Sequence, residues 1–395
     1  MDPTICLGID NCFASKRWIR PAEWMRIIHE LGLKYVEASA DTECDPLYMG
    51  GEFLADWVQD VRAHQGDWEI AVKNLYSGHG TYATSGLTHY DRRVILRFRD
   101  EWMKKQMDIA AALGAGFGFF AHGFEELLFQ EEPLYRAKLE ELYDSLANLA
   151  EYGQRIGLSY ISLEQMYSPH QPPWTIEGAR ELLREVWRRS GAPFYLTLDL
   201  GHMNGQQYFL KPDASRLRGW IEAARQGARP RRVWVGTDAA DALYRRAAAG
   251  ELEISAAVDA ILADADAHPH LFARAEDGSV DAWLRALGGY SPIVHLQQSD
   301  GKSSPHWPFS DDFNARGIIR GGEVLRGLAE SFGRPDTPGM PPKCGEVVMT
   351  LEPFIGTAGS TRDLLEDLKA SVAYWRRYIP RDGMRLSEAV KALPD

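Results

Sequence analysis

The segment Phe194–His202, with the sequence FYLTLDLGH, is an apolar run that ends in an acidic residue, a glycine and a histidine. Three further apolar runs end in a similar way, at Ser162-Leu163-Glu164, His295-Leu296-Gln297-Gln298 and Thr350-Leu351-Glu352. Polar residues two positions apart point to the same face of a strand. The four endings therefore predict that carboxylate, amide and imidazole groups meet at one edge of a sheet.

Apolar runs and amphipathic segments alternate along the chain, which is the pattern of a parallel sheet with helical crossovers. The predicted strands are Ile5–Asp10, Tyr35–Ser39, Glu69–Asn74, Gly116–Ala121, Leu158–Glu164, Phe194–Asp199, Ile293–Gln298 and Val347–Glu352. The predicted helices are Pro21–Leu31, Phe53–Arg62, Arg92–Leu113, Leu134–Arg155, Ile176–Arg189, Glu323–Ser331 and Thr361–Tyr378. Eight strands in this order predict an α/β protein with a single (β/α)8 TIM barrel.

The connection between the sixth and seventh strands is much longer than a crossover requires. We expect an insertion over residues 203–290, which includes the Arg-rich stretch Arg225–Arg232. A dinucleotide-binding second domain would need a glycine-rich turn after a strand, whereas the glycines of Gly114–Gly118 lead into one. Because such barrels can reach roughly 400 residues as one unit, residues 1–395 are predicted to form a single domain.

Composition restricts the kinds of partner. The 395 residues include 44 Lys and Arg against 56 Asp and Glu, which gives a net charge of -12. A field of this sign repels phosphate backbones and argues against nucleic-acid binding. The four cysteines, Cys6, Cys12, Cys44 and Cys344, have no CxxC spacing and are expected to be reduced thiols.

The termini and apolar segments indicate where the protein resides. The chain enters an apolar strand soon after Met1, without a basic region or a small-residue cleavage site typical of a signal peptide. No stretch approaches the roughly 20 apolar residues of a membrane span. We expect a cytoplasmic protein that does not contact a membrane.

The late strand endings resemble a known family. The set LEQ at Glu164, DLGH at Asp199–His202, HLQ at His295–Gln297 and LEP at Glu352 is similar to the xylose-isomerase-like TIM-barrel superfamily over nearly the whole chain. That superfamily includes ketose 3-epimerases, sugar isomerases, inosose dehydratases and class II apurinic endonucleases. The segments LGIDNCFASKRW, VEASADTECDPLYMG and HLQQSDGK resemble bacterial erythrulose-phosphate (tetrulose-phosphate) isomerases or epimerases more narrowly.

This resemblance implies a divalent metal ion held by Glu164, Asp199, Gln297 and Glu352. The ligand types suit Mn²⁺, Mg²⁺ or Co²⁺, and Zn²⁺ would also fit. Ketose 3-epimerases carry His-x-His on the seventh strand with the second histidine on the metal, whereas this chain has Gln297 at that place. Either Gln297 binds through its amide oxygen or His295 replaces it as the ligand.

The same residues suggest proton transfer beside a carbonyl. A divalent cation would stabilise the enediolate of a ketose or ketose phosphate, such as a tetrulose phosphate, while Glu164 and Glu352 act as the acid and base. The predicted activity is an isomerase or epimerase with a small sugar or sugar phosphate as its partner. Three alternatives are a sugar or inosose dehydratase, an endonuclease-like phosphoesterase and a sugar-binding barrel without catalysis.

Several residues are predicted to bind substrate. They are His202, His295, Asp10, Lys16, His122 and Lys302. The lysines are candidates for a phosphate, although a surface lysine is more often a solvated charge; His202 could instead cap a helix, and His295 could be a core histidine. The loop His79–Tyr82 suits a lid, and the exterior helices with the long sixth connection could form a homodimer interface.

Overall fold

Eight parallel strands close into a barrel in the computed structural model, which describes residues 1–78, 84–353 and 356–394. The strands are β1 Thr4–Asp10, β2 Tyr35–Ser39, β3 Ala71–Ser77, β4 Gly116–Phe119, β5 Ile161–Glu164, β6 Tyr195–Asp199, β7 Ile293–Leu296 and β8 Glu346–Leu351. Each strand pairs with the next, and β8 pairs with β1, which closes the sheet. The predicted (β/α)8 barrel is confirmed.

Strands β3 and β7 have boundaries that differ from the sequence prediction. The helix Gly51–Trp68 continues further than predicted and ends at Glu69, whose φ of 52° is left-handed, so β3 starts at Ala71. At its other end β3 runs on to Ser77 because Tyr76 pairs with Gly118 of β4. Strand β7 ends at Leu296, so Gln297 lies just beyond the strand rather than in it.

Helices surround the barrel and connect its strands. The α-helices are Pro21–Glu30, Ala40–Glu43, Gly51–Trp68, Arg92–Arg97, Lys104–Ala112, Glu132–Ile156, Ile176–Ser190, Ala214–Arg225, Asp238–Ala248, Ile254–Ala267, Val280–Leu287, Asp311–Arg316, Gly321–Gly333, Thr361–Arg376 and Leu386–Lys391. The predicted helix Arg92–Leu113 is interrupted by a π-helical stretch at Phe98–Met103.

The helix Ile176–Ser190 illustrates how the sequence sets these elements. Thr175 caps its start by accepting a hydrogen bond from the amide of Gly178 at 3.1 Å. Gly191, with a φ of 62°, ends it in the left-handed conformation that glycine adopts without strain. The buried side chains of Leu183 and Val186 lie on one face and pack against the barrel, as the 3.6-residue period predicts.

The connection from β6 to β7 contains a small hydrophobic cluster of its own. Leu217, Ile221, Val235, Val258 and Ile261 are buried together by the three helices between 214 and 267. The last helix of the connection, Val280–Leu287, instead contributes to the main core of the barrel. This connection therefore has enough buried apolar surface to hold its helices together.

The main core is built on large side chains between the strands and the outer helices. Trp24, Trp102, Trp283 and Trp375 are almost completely buried there, and truncating one such side chain to alanine would cost about 3–5 kcal/mol of unfolding free energy. All four cysteines are buried and unpaired. Within the described ranges, every helix is too short or too polar to cross a bilayer.

Candidate active site

Four acidic and imidazole side chains converge at the carboxyl ends of β5 to β8. Glu164, Asp199, His295 and Glu352 each offer one ligand atom, and these atoms all lie within 4.8 Å of one another. Nδ1 of His295 lies 3.0 Å from Oε1 of Glu164, 3.3 Å from Oε2 of Glu352 and 3.9 Å from Oδ2 of Asp199. The four residues are at most 3% exposed, so this is a buried, strongly charged cluster.

Strand register explains why these side chains meet. Asp199 lies opposite His295 in the ladder between β6 and β7, and Glu164 lies opposite Thr197 in the ladder between β5 and β6. Ser162 and Thr197 point to the same interior face, where their hydroxyls are 2.9 Å apart. The alternation that directs these hydroxyls inward also directs the residues two positions later inward.

Asp199 is anchored in its ionised form. Its Oδ1 accepts hydrogen bonds from the amides of Gly201 at 2.6 Å and His202 at 2.8 Å. Burial opposes ionisation, but the nearby imidazoles of His202, His306 and His295 and a hydrogen bond from Gln297 outweigh it and hold the pKa of Asp199 well below its usual value. The site therefore retains a carboxylate at neutral pH.

The two glutamates differ in proton affinity. Burial raises the pKa of Glu352 well above its usual value, and the Asp199 and Glu164 charges reinforce this against the effect of His295. Burial opposes ionisation of Glu164 as well, but His202 and His295 outweigh it and lower its pKa. Glu164 also accepts a hydrogen bond from the hydroxyl of Tyr76. Pairs of carboxyl groups with separated pKa values are typical of acid and base roles.

His295 is oriented from behind by a second carboxylate. Its Nε2 lies 2.6 Å from Oε1 of Glu37, and Oε2 of Glu37 accepts a hydrogen bond from the side-chain amide of Asn74 at 2.6 Å. Burial lowers the pKa of His295, but the charges of Glu352, Glu37 and Glu164 outweigh it and raise that pKa well above 6.5. A carboxylate behind a histidine is the arrangement that directs the other ring nitrogen at a metal.

The cluster fits a divalent cation. Three carboxylates and one imidazole match the hard ligands of Mn²⁺, Mg²⁺ or Co²⁺ and suit Zn²⁺ as well. Oε2 of Glu352 is buried and finds no hydrogen-bond partner among the described residues. A positive ion would satisfy this oxygen and reverse the mutual repulsion of the carboxylates, so this group of residues could hold a metal ion.

The side-chain amide of Gln297, predicted as a metal ligand, is hydrogen-bonded beside the cluster. Its Nε2 donates to both carboxylate oxygens of Asp199, at 2.8 and 2.9 Å, and its Oε1 accepts from the amide of His306 at 2.8 Å. The amide oxygen is thus directed away from the cluster, whereas His295 is part of it. Of the two alternatives left by the sequence, His295 places a ligand atom in the cluster, whereas Gln297 turns its amide nitrogen toward Asp199.

A cavity of about 570 Å³ opens above the cluster, a volume suited to a small metabolite. Glu164, Glu352, His202 and Lys302, which the sequence predicted as site residues, line it. Nδ1 of His202 lies 2.9 Å from the carbonyl oxygen of Gln165, which directs the ring toward the cavity. Substrate contacts for His202 and Lys302 remain predictions, which the position of both residues in the cavity wall supports.

Four predicted substrate-binding residues do not line this cavity. His295 belongs to the acidic cluster instead. Asp10 is buried near the cluster, where its Oδ1 accepts a hydrogen bond from the amide of Cys12, and burial together with the Glu37 and Glu352 charges raises its pKa. Lys16 has a φ of 62° and an exposed side chain. His122 is fully buried among Phe98, Trp102 and Phe120, and burial lowers its pKa to about 3. The predicted substrate contacts of these residues stay predictions.

Other cavity residues escaped the sequence reasoning. Tyr76 follows Asn74 at the two-residue period of β3, so a strand extended by three residues would have revealed it. His306 returns to the cluster because Gln298 and Trp307 pair across the intervening loop, and Arg232 comes from the insertion. Arg232 ends the Arg-rich stretch Arg225–Arg232, but no local pattern places it or His306 at the cavity. The predicted lid His79–Tyr82 lies outside the described residues.

The fold and the site define a (β/α)8 barrel with a metal-competent acidic cluster at its catalytic mouth. Residues 25–248 match the family model described as xylose isomerase-like TIM barrel, and the chain belongs to that family. The sequence is also similar to D-erythrulose 1-phosphate 3-epimerase from Brucella abortus (strain 2308), with 30% identity over 119 residues. That alignment covers 30% of this chain and 35% of the relative.

Solved structures share the fold across nearly the whole chain. A xylose isomerase candidate from Rhodospirillum rubrum superposes with a TM-score of 0.67 at 17% identity, covering 94% of this chain and 98% of that one. An L-ribulose 3-epimerase superposes with a TM-score of 0.54 at 14% identity, covering 98% of this chain and 95% of the other. At these identities the likeness concerns the barrel itself, and the proteins that share it include sugar isomerases and epimerases.

Proposed function

We propose that this protein is a divalent-metal-dependent epimerase or isomerase of a ketose or ketose phosphate. The observation that carries the proposal is the placement of Glu164 and Glu352. Both line the cavity, both belong to the acidic cluster, and they enter it from β5 and β8, with β6 and β7 between them. Two carboxyl groups on different sides of one small cavity suit removal of a proton from one face of a carbon and its return to the other.

The ligand set in this proposal is Glu164, Asp199, His295 and Glu352. A divalent cation held there would supply positive charge beside the substrate carbonyl oxygen and so make the adjacent C–H more acidic. Asp199 would remain ionised and serve only as a ligand, because its oxygens are committed to backbone amides and to Gln297. Glu37 would hold His295 in its tautomer.

The proton transfers are assigned to the two glutamates. Tyr76 and His295 contact Glu164 and stabilise its ionised form, so Glu164 is the candidate base. Glu352, with the higher pKa, is the candidate acid that returns a proton to the substrate. For the reverse reaction the roles exchange. His202, at the wall of the same cavity, would hydrogen-bond a substrate hydroxyl or carbonyl.

The nature of the relative supports the choice of substrate. The similar segment of the Brucella protein belongs to an epimerase of a four-carbon ketose phosphate, and a cavity of about 570 Å³ accommodates such a molecule. We therefore place tetrulose phosphates and short ketoses first among the substrates to be tested. Phe120, Met166 and Phe209 give part of the cavity an apolar wall.

Solvent-deuterium incorporation tests the proposal. Metal-loaded protein is incubated in D₂O with short ketoses and their phosphates, and NMR reports exchange at the carbon beside the carbonyl. Glu164→Gln and Glu352→Gln should each reduce exchange by roughly 10²- to 10⁴-fold. The matched control is Glu346→Gln, because Glu346 lies at the opposite end of β8 and pairs with Lys73.

The outcomes separate the alternatives. Exchange that survives both glutamine substitutions would refute the assigned acid and base. A product that lacks the elements of water would identify a dehydratase instead of an epimerase. Absence of exchange and of product across the whole panel, with metal content verified, would refute the proposed activity.

A further inference from the structure

The rim of the cavity carries two cationic side chains of lysine or arginine type. Among the described residues that line the cavity, these are Arg232 from the insertion and Lys302 from the loop after β7. The carboxyl groups of Glu164 and Glu352 lie at the floor. Positive and negative groups are thus segregated between the two ends of one space.

Arg232 is held at the rim by stacking. Its guanidinium carbon lies 3.6 Å from the centre of the Tyr208 ring, a cation–π contact. The backbone there is unusual, since Arg232 has a φ of 59°, which non-glycine residues rarely adopt. The following residues are fixed, because Nε1 of Trp234 donates to the carbonyl oxygen of Leu271 at 2.9 Å and the Trp234 ring packs on Phe209.

Lys302 is tied to the same tyrosine from the other side. The hydroxyl of Tyr208 donates to the carbonyl oxygen of Lys302. The neighbouring Gln207 donates through Nε2 to the carbonyl oxygen of Gly301 at 2.8 Å. Tyr208 therefore fixes both cationic loops relative to each other, one through its ring face and one through its hydroxyl.

We propose that Arg232 and Lys302 form a subsite for the phosphate of a phosphomonoester substrate. This inference rests on the proposed function and deepens it, since it makes the substrate a ketose phosphate. Arginine offers a planar fork of N–H donors that binds two phosphate oxygens, and lysine adds a compact second charge. Two positive charges match a phosphate dianion, whereas an uncharged sugar needs neither of them.

The location of the pair distinguishes it from ordinary surface charge. With a net charge of -12, the protein as a whole repels a phosphate dianion, so local cations are required to attract one. The adjacent Arg231 is also exposed but does not line the cavity. Arg231 therefore provides a control with the same charge at nearly the same place in the sequence.

Binding of glycerol 3-phosphate tests the subsite without any turnover. This probe carries a phosphomonoester but no carbonyl, and its binding to metal-loaded protein is measured by calorimetry. Arg232→Met and Lys302→Met should each weaken binding by roughly 10- to 100-fold, while Arg231→Met should bind as the wild type does. Arg232→Lys should restore part of the affinity, because it returns the charge without the planar fork.

Turnover provides an independent measurement. The ratio of kcat/KM for a ketose phosphate to kcat/KM for the same ketose without phosphate should fall by roughly 10- to 100-fold in Arg232→Met. Equal binding of glycerol 3-phosphate by all variants, or none by the wild type, would overturn the subsite. If the probe binds as expected and no ketose is turned over, the subsite stands and the proposed function fails.

Discussion

Replacement of Glu43 by glutamine should remove a pH dependence of stability. Glu43 is buried, and its Oε2 accepts hydrogen bonds from the indole nitrogens of Trp24 at 3.3 Å and Trp57 at 3.2 Å. Burial raises its pKa from 4.5 to about 7, although the hydrogen bonds from Trp57 and Trp24 partly oppose the rise. Glutamine has nearly the same shape, keeps an oxygen acceptor for the two indoles and carries no charge.

Proton binding by Glu43 determines the direction in which the unfolding free energy changes with pH. Between pH 4.5 and about 7 the folded protein retains a proton on Glu43 that the unfolded chain has lost, so the unfolding free energy falls as the pH rises through this interval. At about 1.4 kcal/mol per pH unit, the full interval corresponds to roughly 3 kcal/mol. Above pH 7 the wild type has lost all of this unfolding free energy, whereas Glu43→Gln, which has no charge to bury, has lost none of it.

Urea denaturation followed by tryptophan fluorescence provides the assay. The stability of Glu43→Gln relative to the wild type should improve by roughly 3 kcal/mol between pH 4.5 and pH 8. Glu52→Gln is the matched control, because Glu52 is exposed on the next helix, and it should show no such change. A difference between Glu43→Gln and the wild type that is the same at both pH values would refute the reasoning.

Three further predictions concern metal affinity, a buried histidine and a close contact of a glycine. Glu37→Gln should weaken metal affinity by about 10- to 100-fold, measured by competition with a chelator, because it disturbs the partner of His295. His122 should stay neutral to about pH 3 and titrate far below free histidine in ¹⁵N NMR spectra, because burial lowers its pKa. Gly201→Ala should lower the melting temperature and the metal affinity, because the added Cβ would lie 2.2 Å from Cδ of Gln297.

Each of these predictions has a control or a contrary outcome. Glu346→Gln should leave metal affinity unchanged, so an equal loss there would remove the special role of the carboxylate behind the histidine. A His122 titration between pH 6 and 7 would contradict its placement in the aromatic cluster. Gly66→Ala, in a helix and with no atom near the added Cβ, should be neutral or stabilising by about 0.5–1 kcal/mol.

The barrel itself was predictable from sequence because its signals are local and repeated. Eight apolar runs of strand length alternate with helical periods, and each predicted strand overlaps an observed one. The differences between the predicted and observed elements lie at the ends of helices and strands. Trp68 and Glu69 continue a helix and then turn left-handed, and Tyr76 extends a strand through pairing with β4. Pairing with a neighbour and a single dihedral angle decide such ends, and neither has a strong sequence signal.

Part of the candidate site could also be predicted from sequence, and part of it could not. Glu164, Asp199 and Glu352 could be found because strand periodicity brings the ends of adjacent parallel strands together, whatever the details of the loops. The choice between His295 and Gln297 could not be made, since both have inward positions and only the anchoring of the Gln297 amide by Asp199 and His306 separates them.

Sequence alone thus determined the fold class, the catalytic edge of the barrel and the carboxylates gathered there, because these depend on periodicity over short distances. Tertiary structure decided which loops reach the cavity. Arg232 reaches the cavity from the long connection between β6 and β7 and stacks on Tyr208, whereas Lys16 and His122, which follow strand ends, do not line it. Loop side chains are positioned by contacts between residues far apart in the chain, and those contacts exist only once the barrel has closed.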